Sequence, residues 1–167
     1  MRYVIGIGSN LGDSESSVRD AMDAVTTALN ASNDQRSSLY RTQPVGGPEQ
    51  PDYVNAVVIL ESEHPPLDVL ALLQEIEQRA GRVRDVRWGP RTLDLDIIDV
   101  DSLESDDPLL TLPHPRAHER AFVLVPWHEI DSGAVLAGHG PIADIVERGF
   151  TDQDIERVPN STGGGLL

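Results

Sequence analysis

The chain has 167 residues, of which 39% are hydrophobic, no cysteine, and a formal net charge of −15. This length is sufficient for one domain with a substantial core, and the lack of cysteine excludes disulfides and Cys-ligated metal sites. The acidic charge disfavours nucleic-acid binding, and no apolar run approaches the ~18 residues of a membrane span. The N-terminus does not resemble a signal peptide, so we expect a cytoplasmic protein with neither nucleic-acid nor membrane partners.

The basic side chains are all arginine, 13 in number, and there is no lysine. The phosphate loop of P-loop nucleotide-binding proteins requires its lysine, so that kind of nucleotide site is excluded. Five of the arginines lie between residues 79 and 91, so the local field there can be positive despite the acidic chain. Any phosphate group must therefore be held by arginine, backbone amides or a metal ion.

Hydrophobic periodicity predicts an alternation of strands and helices along the chain. In order, the predicted elements are a strand over 3–8, a helix over 14–30 capped by Asp13 or Ser14, a strand over 35–41, a strand over 53–61, a helix over 66–80 that begins at Pro66 and ends before Gly81, a strand over 93–100, a strand over 109–112, and helices over 117–130 and 141–148. This order predicts an α+β sandwich with helices on one face of a mainly antiparallel sheet. We expect a single domain over residues 1–150 and a polar, flexible tail over 151–167.

The glycine-containing segment GIGSNLGD follows the first strand and precedes the first helix. Gly6, Gly8 and Gly12 have the spacing GxGxxxG, which differs from the dinucleotide-binding fingerprint. We interpret the segment as a tight turn with local hydrogen bonds.

Two aspartates, Asp94 and Asp96, stand one residue apart inside the apolar run LDLDII. In a strand they share one face, and the apolar residues between and beside them occupy the opposite face. Ile98 and Val100 continue the acidic face, so we expect the carboxylates to lie at the mouth of a buried surface. Like charges on one face repel, and Mg²⁺, which binds one or two carboxylates together with phosphate oxygens, would relieve that repulsion. The alternative is a solvent-exposed acidic face.

Three further segments carry polar residues that could bind a ligand. The Gly- and Pro-containing loop over 82–92 has several arginines and Trp88, a combination that could close over a phosphate-bearing substrate. Tyr53 and Asn55 share a strand face and could recognise a planar heterocycle, although a hydrogen-bonded core asparagine is equally consistent. His114, between two prolines, and Arg120 could contact phosphate oxygens, or belong to an ordinary loop.

Taken together, these segments resemble a known family. The motifs GSNLG at 8–12, YRTQPVG at 40–46, QPDYVNAVV at 50–58, GRVR and RWGPRTLDLDI within 81–97, and LPHPRAHERAFVL at 112–124 occur in the order and spacing of the 6-hydroxymethyl-7,8-dihydropterin pyrophosphokinases of the folate pathway. The resemblance implies a ferredoxin-like α/β sandwich. It also implies transfer of pyrophosphate from ATP to the pterin hydroxymethyl group, which yields AMP, in a protein we expect to be monomeric.

The resemblance also implies roles for individual residues. Asp94 and Asp96 would bind two Mg²⁺ ions, and Arg82 and Arg91 would act in catalysis with them. The pterin pocket would comprise Thr42, Pro44, Val45, Gly46, Tyr53, Asn55, Trp88 and Phe122, with the ring between Trp88 and Phe122. Residues near the nucleotide would be Gln74, Glu77, Arg84, Arg87, Ile98, Thr111, His114 and Arg120.

Two other functions remain as alternatives. The first is a relative that binds ATP or pterin without turnover, against which the intact aspartate pair, Arg82, Arg91 and His114 argue. The second is a nucleotide-dependent oxidoreductase on a Rossmann domain, against which the glycine spacing and the order of elements argue.

Overall fold

The computed structural model describes residues 1–10, 13–43, 52–82, 93–150 and 153–159, with the backbone alone at 81 and 82. The elements, in chain order, are β1 (Arg2–Ser9), α1 (Ser14–Ala28), β2 (Ser32–Arg36), β3 (Tyr40–Thr42), β4 (Tyr53–Glu61), α2 (Pro66–Arg82), β5 (Asp94–Val100), β6 (Ser105–Asp107), β7 (Leu110–Leu112), a short 3-10 helix (Ala117–Glu119), α3 (Ala121–Ile130), β8 (Val135–Leu136), β9 (Gly140–Pro141), α4 (Ile142–Arg148) and β10 (Ile155–Arg157). No helix in these ranges has the length and apolar character needed to cross a membrane.

The main sheet has the strand order β10-β3-β4-β1-β5, and β2 also pairs with β4. Each of these pairings, within the ranges given above, is antiparallel. The order follows from the two β-α-β crossovers, which place β1 and β4 side by side at the centre. The predicted ferredoxin-like α+β sandwich is therefore confirmed, and the antiparallel sheet contradicts a Rossmann domain.

The helices cover both faces of the sheet, not one as the sequence predicted. On one face α1 and α2 bury side chains such as Val18 and Leu73 in the larger core. On the other face α3 and α4 form a second core around Trp127, Leu124 and Ile142. The prediction was wrong because the central strands β1 and β4 carry buried apolar residues on both faces, and such strands need a covering layer on each side.

Two predicted elements are divided in the structure. The strand over 35–41 becomes β2 and β3, because the Ser37 hydroxyl accepts a 2.9 Å hydrogen bond from the Val57 backbone N–H and replaces a regular ladder contact. The helix over 117–130 becomes a 3-10 turn and α3, because Arg120 between them is extended, with φ −111° and ψ 108°.

The remaining element boundaries lie close to the predictions, with one clear difference at the end of α2. The second helix continues through Gly81, since a glycine in a helix costs only about 1 kcal/mol and does not by itself end it. Asp13 caps α1 as predicted, with its side chain accepting a hydrogen bond from the Ser16 N–H. The strand predicted over 109–112 is β7. Its partner β6 was not predicted, because the three polar residues of β6 show no apolar alternation.

The segment 153–159 also differs from the flexible tail expected beyond residue 151. It contains β10, which pairs with β3 at the edge of the main sheet. Val158 is buried, and its N–H donates a 2.8 Å hydrogen bond to the Leu39 carbonyl oxygen. The polar composition concealed this strand because it lies at the edge of the sheet, where most side chains remain in water.

A β-bulge interrupts β5 near its end. The ladder with β1 pairs Ile5 with Ile97 and then Val4 with Asp99, so that Ile98 is an extra residue. Ile98 therefore stays on the face of the two aspartates, but Val100 joins the opposite core. The expectation that Val100 continues the acidic face was wrong, since an inserted residue shifts the alternation by one.

The bulge leaves Asp99 only 4% exposed, and burial raises the pKa of its carboxyl group. Because the pKa of Asp99 is higher in the folded than in the unfolded protein, the protonated carboxyl group contributes to the free energy of unfolding below the unfolded pKa. That contribution is lost as the pH rises through the folded pKa. We expect the stability of Asp99→Asn relative to the parent to increase as the pH rises, because the amide does not ionise and its oxygen can still accept from the Ser102 N–H.

Urea denaturation of both proteins from pH 4 to 8 measures this prediction. The difference between Asp99→Asn and the parent should grow as the pH rises. A difference that stays constant or shrinks would show that burial of the carboxylate does not govern its stability.

Candidate active site

Asp94 and Asp96 lie on β5, on the sheet face covered by α3 and α4. Both are partly buried, so they are not a fully exposed acidic surface. In the neighbouring strand β1, Gly8 lies opposite Asp94 and Gly6 opposite Asp96. Because paired residues project from the same face, the two glycines place no side chain of β1 beside the carboxylates.

The space beside the two carboxylates is part of a cavity of about 190 Å³. It lies at one end of the sheet, between the strands and the beginning of α3. Its lining is drawn from four strands and α3: Gly6, Ile7 and Gly8; Thr42; Tyr53 and Asn55; Asp94, Asp96 and Ile98; and Arg120, Phe122 and Val123. Aromatic, amide and carboxylate groups thus meet in one small concave site, which is typical of ligand pockets.

Asn55 supplies the main hydrogen-bonding group on the central strand. It is 4% exposed, and its Nδ2 donates a 3.0 Å hydrogen bond to Thr42 Oγ1 on β3. A Cβ atom at Gly8 would lie 2.9 Å from Asn55 Oδ1, closer than such atoms approach. Gly8 is therefore required for the Asn55 amide to keep its position in the cavity.

The opposite wall is the beginning of α3. Arg120 is extended, and its guanidinium carbon lies 5.4 Å from the centre of the Phe122 ring. Both side chains are half-buried and line the cavity. An aromatic face beside a cation can hold a flat ring and an anionic group at adjacent positions.

Two further contacts fix the backbone of β5. Glu77 Oε2 on α2 accepts a 2.7 Å hydrogen bond from the N–H of Leu95, the residue between the two aspartates. The His114 N–H donates a 2.9 Å hydrogen bond to the Ile98 carbonyl oxygen. Burial lowers the pKa of the His114 imidazole, although the Asp96 carboxylate opposes this, and the nearby Arg120 and Arg116 charges add to it.

The sequence matches the family model of the 7,8-dihydro-6-hydroxymethylpterin-pyrophosphokinases (HPPK) over residues 4–132. The chain belongs to this family. It is 42% identical to the 2-amino-4-hydroxy-6-hydroxymethyldihydropteridine pyrophosphokinase of Haemophilus influenzae, over 92% of this chain and 96% of the relative. It is 43% identical to the enzyme of the same name from Pseudomonas aeruginosa, over 96% of this chain and 98% of the relative.

Solved structures agree with the assignment of the fold. An HPPK-DHPS in complex with substrates superposes with a TM-score of 0.67 at 12% identity, over 88% of this chain and 43% of the other. The Plasmodium falciparum HPPK-DHPS with SDX-DHP gives 0.63 at 11% identity, over the same shares. This chain therefore spans less than half the length of those two proteins, and the low identity limits the comparison to the fold.

The cavity brings together eight of the residues predicted from the pyrophosphokinase resemblance: Thr42, Tyr53, Asn55, Asp94, Asp96, Ile98, Arg120 and Phe122. Four others lie outside its lining. Gln74 is exposed on α2, Glu77 bonds the β5 backbone, Thr111 Oγ1 bonds the Asp107 carbonyl oxygen, and His114 lies beside Ile98. The side chains of Pro44, Val45, Gly46, Arg82, Arg84, Arg87, Trp88 and Arg91 lie outside the described residues.

Four lining residues were not among those predicted, namely Gly6, Ile7, Gly8 and Val123. Gly6 and Gly8 lie within β1, as the strand predicted over 3–8 requires, so the interpretation of the segment as a turn was wrong for these two glycines. Gly12 lies outside the described residues. Two glycines at alternate positions of an apolar strand are a signal of close approach from a neighbouring group, and that signal was available in the sequence.

The proximity of His114 and Asp96 gives a prediction about titration. In the metal-free protein we expect the His114 midpoint below its usual range, and Asp96→Asn should lower it further, because the carboxylate favours the imidazolium form. NMR titration of the imidazole signals measures both values. A midpoint that rises, or stays unchanged, in Asp96→Asn would contradict the electrostatic contact.

Proposed function

We propose that this chain transfers a pyrophosphoryl group from ATP to 6-hydroxymethyl-7,8-dihydropterin, as the names of its relatives indicate. The hydroxymethyl oxygen would attack the β-phosphorus of ATP, and the bond from that phosphorus to the α-phosphate oxygen would break. AMP leaves, and the hydroxyl proton is released. The observation that carries the proposal is a single cavity in which an amide, an aromatic ring and two carboxylates meet.

The pterin would occupy the cavity itself. Its volume of about 190 Å³ is below the roughly 300–1,000 Å³ of sites for drug-sized ligands, and suits a small bicyclic ring. The Asn55 amide would pair with the ring edge, and Phe122 and Tyr53 would contact the ring, together with Thr42. Pro44, Val45, Gly46 and Trp88 would complete this pocket by resemblance to the family.

Mg²⁺ would bind at Asp94 and Asp96, two ions in number by resemblance to the family. The donor set fits, because carboxylate oxygens suit this hard cation and the facing Gly6 and Gly8 leave room for its other ligands. No group of three or more acidic or histidine side chains among the described residues is placed to hold a metal ion. Phosphate oxygens and water would supply the remaining ligands. When bound, the metal would neutralise charge on the phosphates.

The nucleotide would extend from the carboxylates beyond the cavity. Arg120 lies at the boundary and would contact a phosphate, while Ile98 would contact the adenine. His114, Thr111, Gln74, Glu77, Arg84 and Arg87 would lie along the nucleotide, and Arg82 and Arg91 would stabilise charge on the transferred group. Phosphoryl transfer depends chiefly on such positioning and charge neutralisation.

A turnover assay tests the proposal against a protein that binds its ligands without reaction. The purified chain should consume the pterin only when ATP and Mg²⁺ are both present, and EDTA should abolish consumption. If both ligands bind with micromolar affinity and no pterin is consumed, the chain is a binding protein and the proposal is wrong.

A further inference from the structure

The C-terminal segment 153–159 contacts the strand that carries one wall of the cavity. In the pairing of β10 with β3, Ile155 lies opposite Thr42, the residue that holds the Asn55 amide. The Val158 N–H donates to the Leu39 carbonyl oxygen just before β3. The segment is therefore part of the support for Thr42, although it lies beyond residues 4–132 that match the family model.

Gln153 connects the same segment to the opposite wall. Its Oε1 accepts a 2.9 Å hydrogen bond from the Ala121 N–H, and its Nε2 donates a 2.8 Å hydrogen bond to the Glu119 carbonyl oxygen. The two bonds span Arg120, so one amide side chain holds the backbone on both sides of this residue.

The Arg120 backbone makes hydrogen bonds of its own, from its N–H to the Ala117 carbonyl oxygen and from the Val123 and Leu124 N–H groups to its carbonyl oxygen, but these do not involve the Ala121 N–H. Ala121 is the first residue of α3, where an N–H lacks an acceptor within the helix, and Arg120 gives no side-chain cap. Gln153 supplies that acceptor from a distant part of the chain. An amide side chain accepts with its oxygen and donates with its nitrogen, so this one residue can hold both backbone groups at the same time.

We propose that Gln153 is a positioning residue, which fixes the Arg120–Phe122 wall relative to the Thr42 wall and so sets the width of the ligand cavity. This rests on the proposed function, because the cavity must bind the pterin for its width to matter. Arg120 and Phe122 flank the residue whose N–H is bound, and both line the cavity. Loss of the two bonds removes the side-chain link between the C-terminal segment and the backbone on either side of Arg120, without removing any group that would touch the substrate.

The test compares Gln153→Ala and Gln153→Met with the parent protein. Methionine has a similar length but forms neither bond, and so separates hydrogen bonding from the filling of space. Glu156→Gln is the matched control, because Glu156 lies exposed on β10 within the same segment 153–159 and makes neither contact. The readouts are the pterin dissociation constant with Mg²⁺ and a non-hydrolysable ATP analogue, amide exchange at Ala121, and the urea midpoint.

We expect both Gln153 variants to weaken pterin binding by roughly tenfold. The Ala121 amide should exchange faster, and Glu156→Gln should match the parent in all three readouts. A purely stabilising residue would instead shift the urea midpoint and leave the pterin dissociation constant of the folded protein unchanged. That result, or parent-like binding by Gln153→Met, would overturn the positioning role.

The two proposals fail in different ways. If the parent protein does not bind the pterin, the proposed function is wrong and the positioning role fails with it. If the parent binds and the Gln153 variants bind equally well, only the positioning role is wrong.

Discussion

Replacement of Asp96 by Asn is expected to reduce kcat by about a thousandfold or more, with Asp94→Asn having a comparable effect. The change keeps the shape of the side chain and removes the charge that would hold the metal ion. Loss of one electrostatic contribution to a transition state typically costs a factor of 10² to 10³. The substitution would also lower the affinity for the metal ion, because one of its proposed ligands loses its charge. Steady-state rates over a range of Mg²⁺ concentrations measure the effect.

Asp99→Asn provides the matched control on the same strand. It makes the same chemical change three residues further along β5, but Asp99 is buried beyond the bulge and does not line the cavity. We expect its kcat to remain within about twofold of the parent, because its effect is on the free energy of unfolding. Similar losses in Asp96→Asn and Asp99→Asn would show that the strand, rather than the carboxylate pair, is sensitive to substitution.

The second large effect is expected at Gly8. In Gly8→Ala the new Cβ would lie 2.9 Å from Asn55 Oδ1, so the amide must move, and movement disrupts its 3.0 Å bond to Thr42. A displaced or unsatisfied amide costs about 1–3 kcal/mol, which corresponds to a roughly five- to 150-fold loss of pterin affinity. Fluorescence titration with the pterin measures this loss.

Gly6→Ala is the control for Gly8→Ala, because it adds the same methyl group to the same strand with a milder steric contact. Its Cβ would lie 3.4 Å from Ile98 Cδ1, an ordinary contact with a flexible apolar group. We expect its loss of pterin affinity to be several-fold smaller than that of Gly8→Ala. Equal losses would indicate that any side chain on β1 blocks the cavity, and that the Asn55 amide has no special role.

The main features of the fold follow from periodicity in the sequence. The alternation in β1, β4 and β5 and the amphipathic pattern of α1 are strong local signals, and the structure confirms these elements close to their predicted bounds. The bulge at Ile98 is different, because it depends on how β5 fits against β1, and its one local sign is the pair Ile97 and Ile98, which interrupts the alternation before Asp99. The formation of β10 in the C-terminal segment likewise depends on its partner strand β3, which lies far away in the sequence.

The candidate site could be predicted only in part, because local alternation is visible in the sequence and contacts between distant segments are not. Asp94 and Asp96 share a strand, and two residues of alternation suffice to place them on one face. The contribution of Gly6 and Gly8 depends on what lies opposite them, which the register of β1 with β4 and β5 determines. The two bonds of Gln153 join residues more than thirty positions apart in the chain, and no local pattern indicates them.

The most direct test of the proposed reaction is ³¹P NMR of the purified chain with ATP, Mg²⁺ and 6-hydroxymethyl-7,8-dihydropterin. Attack at the β-phosphorus predicts that AMP and a pterin diphosphate appear in equal amounts, and that Asp96→Asn suppresses both. The appearance of ADP with a pterin monophosphate would contradict this account, because it would mean that the γ-phosphoryl group alone is transferred.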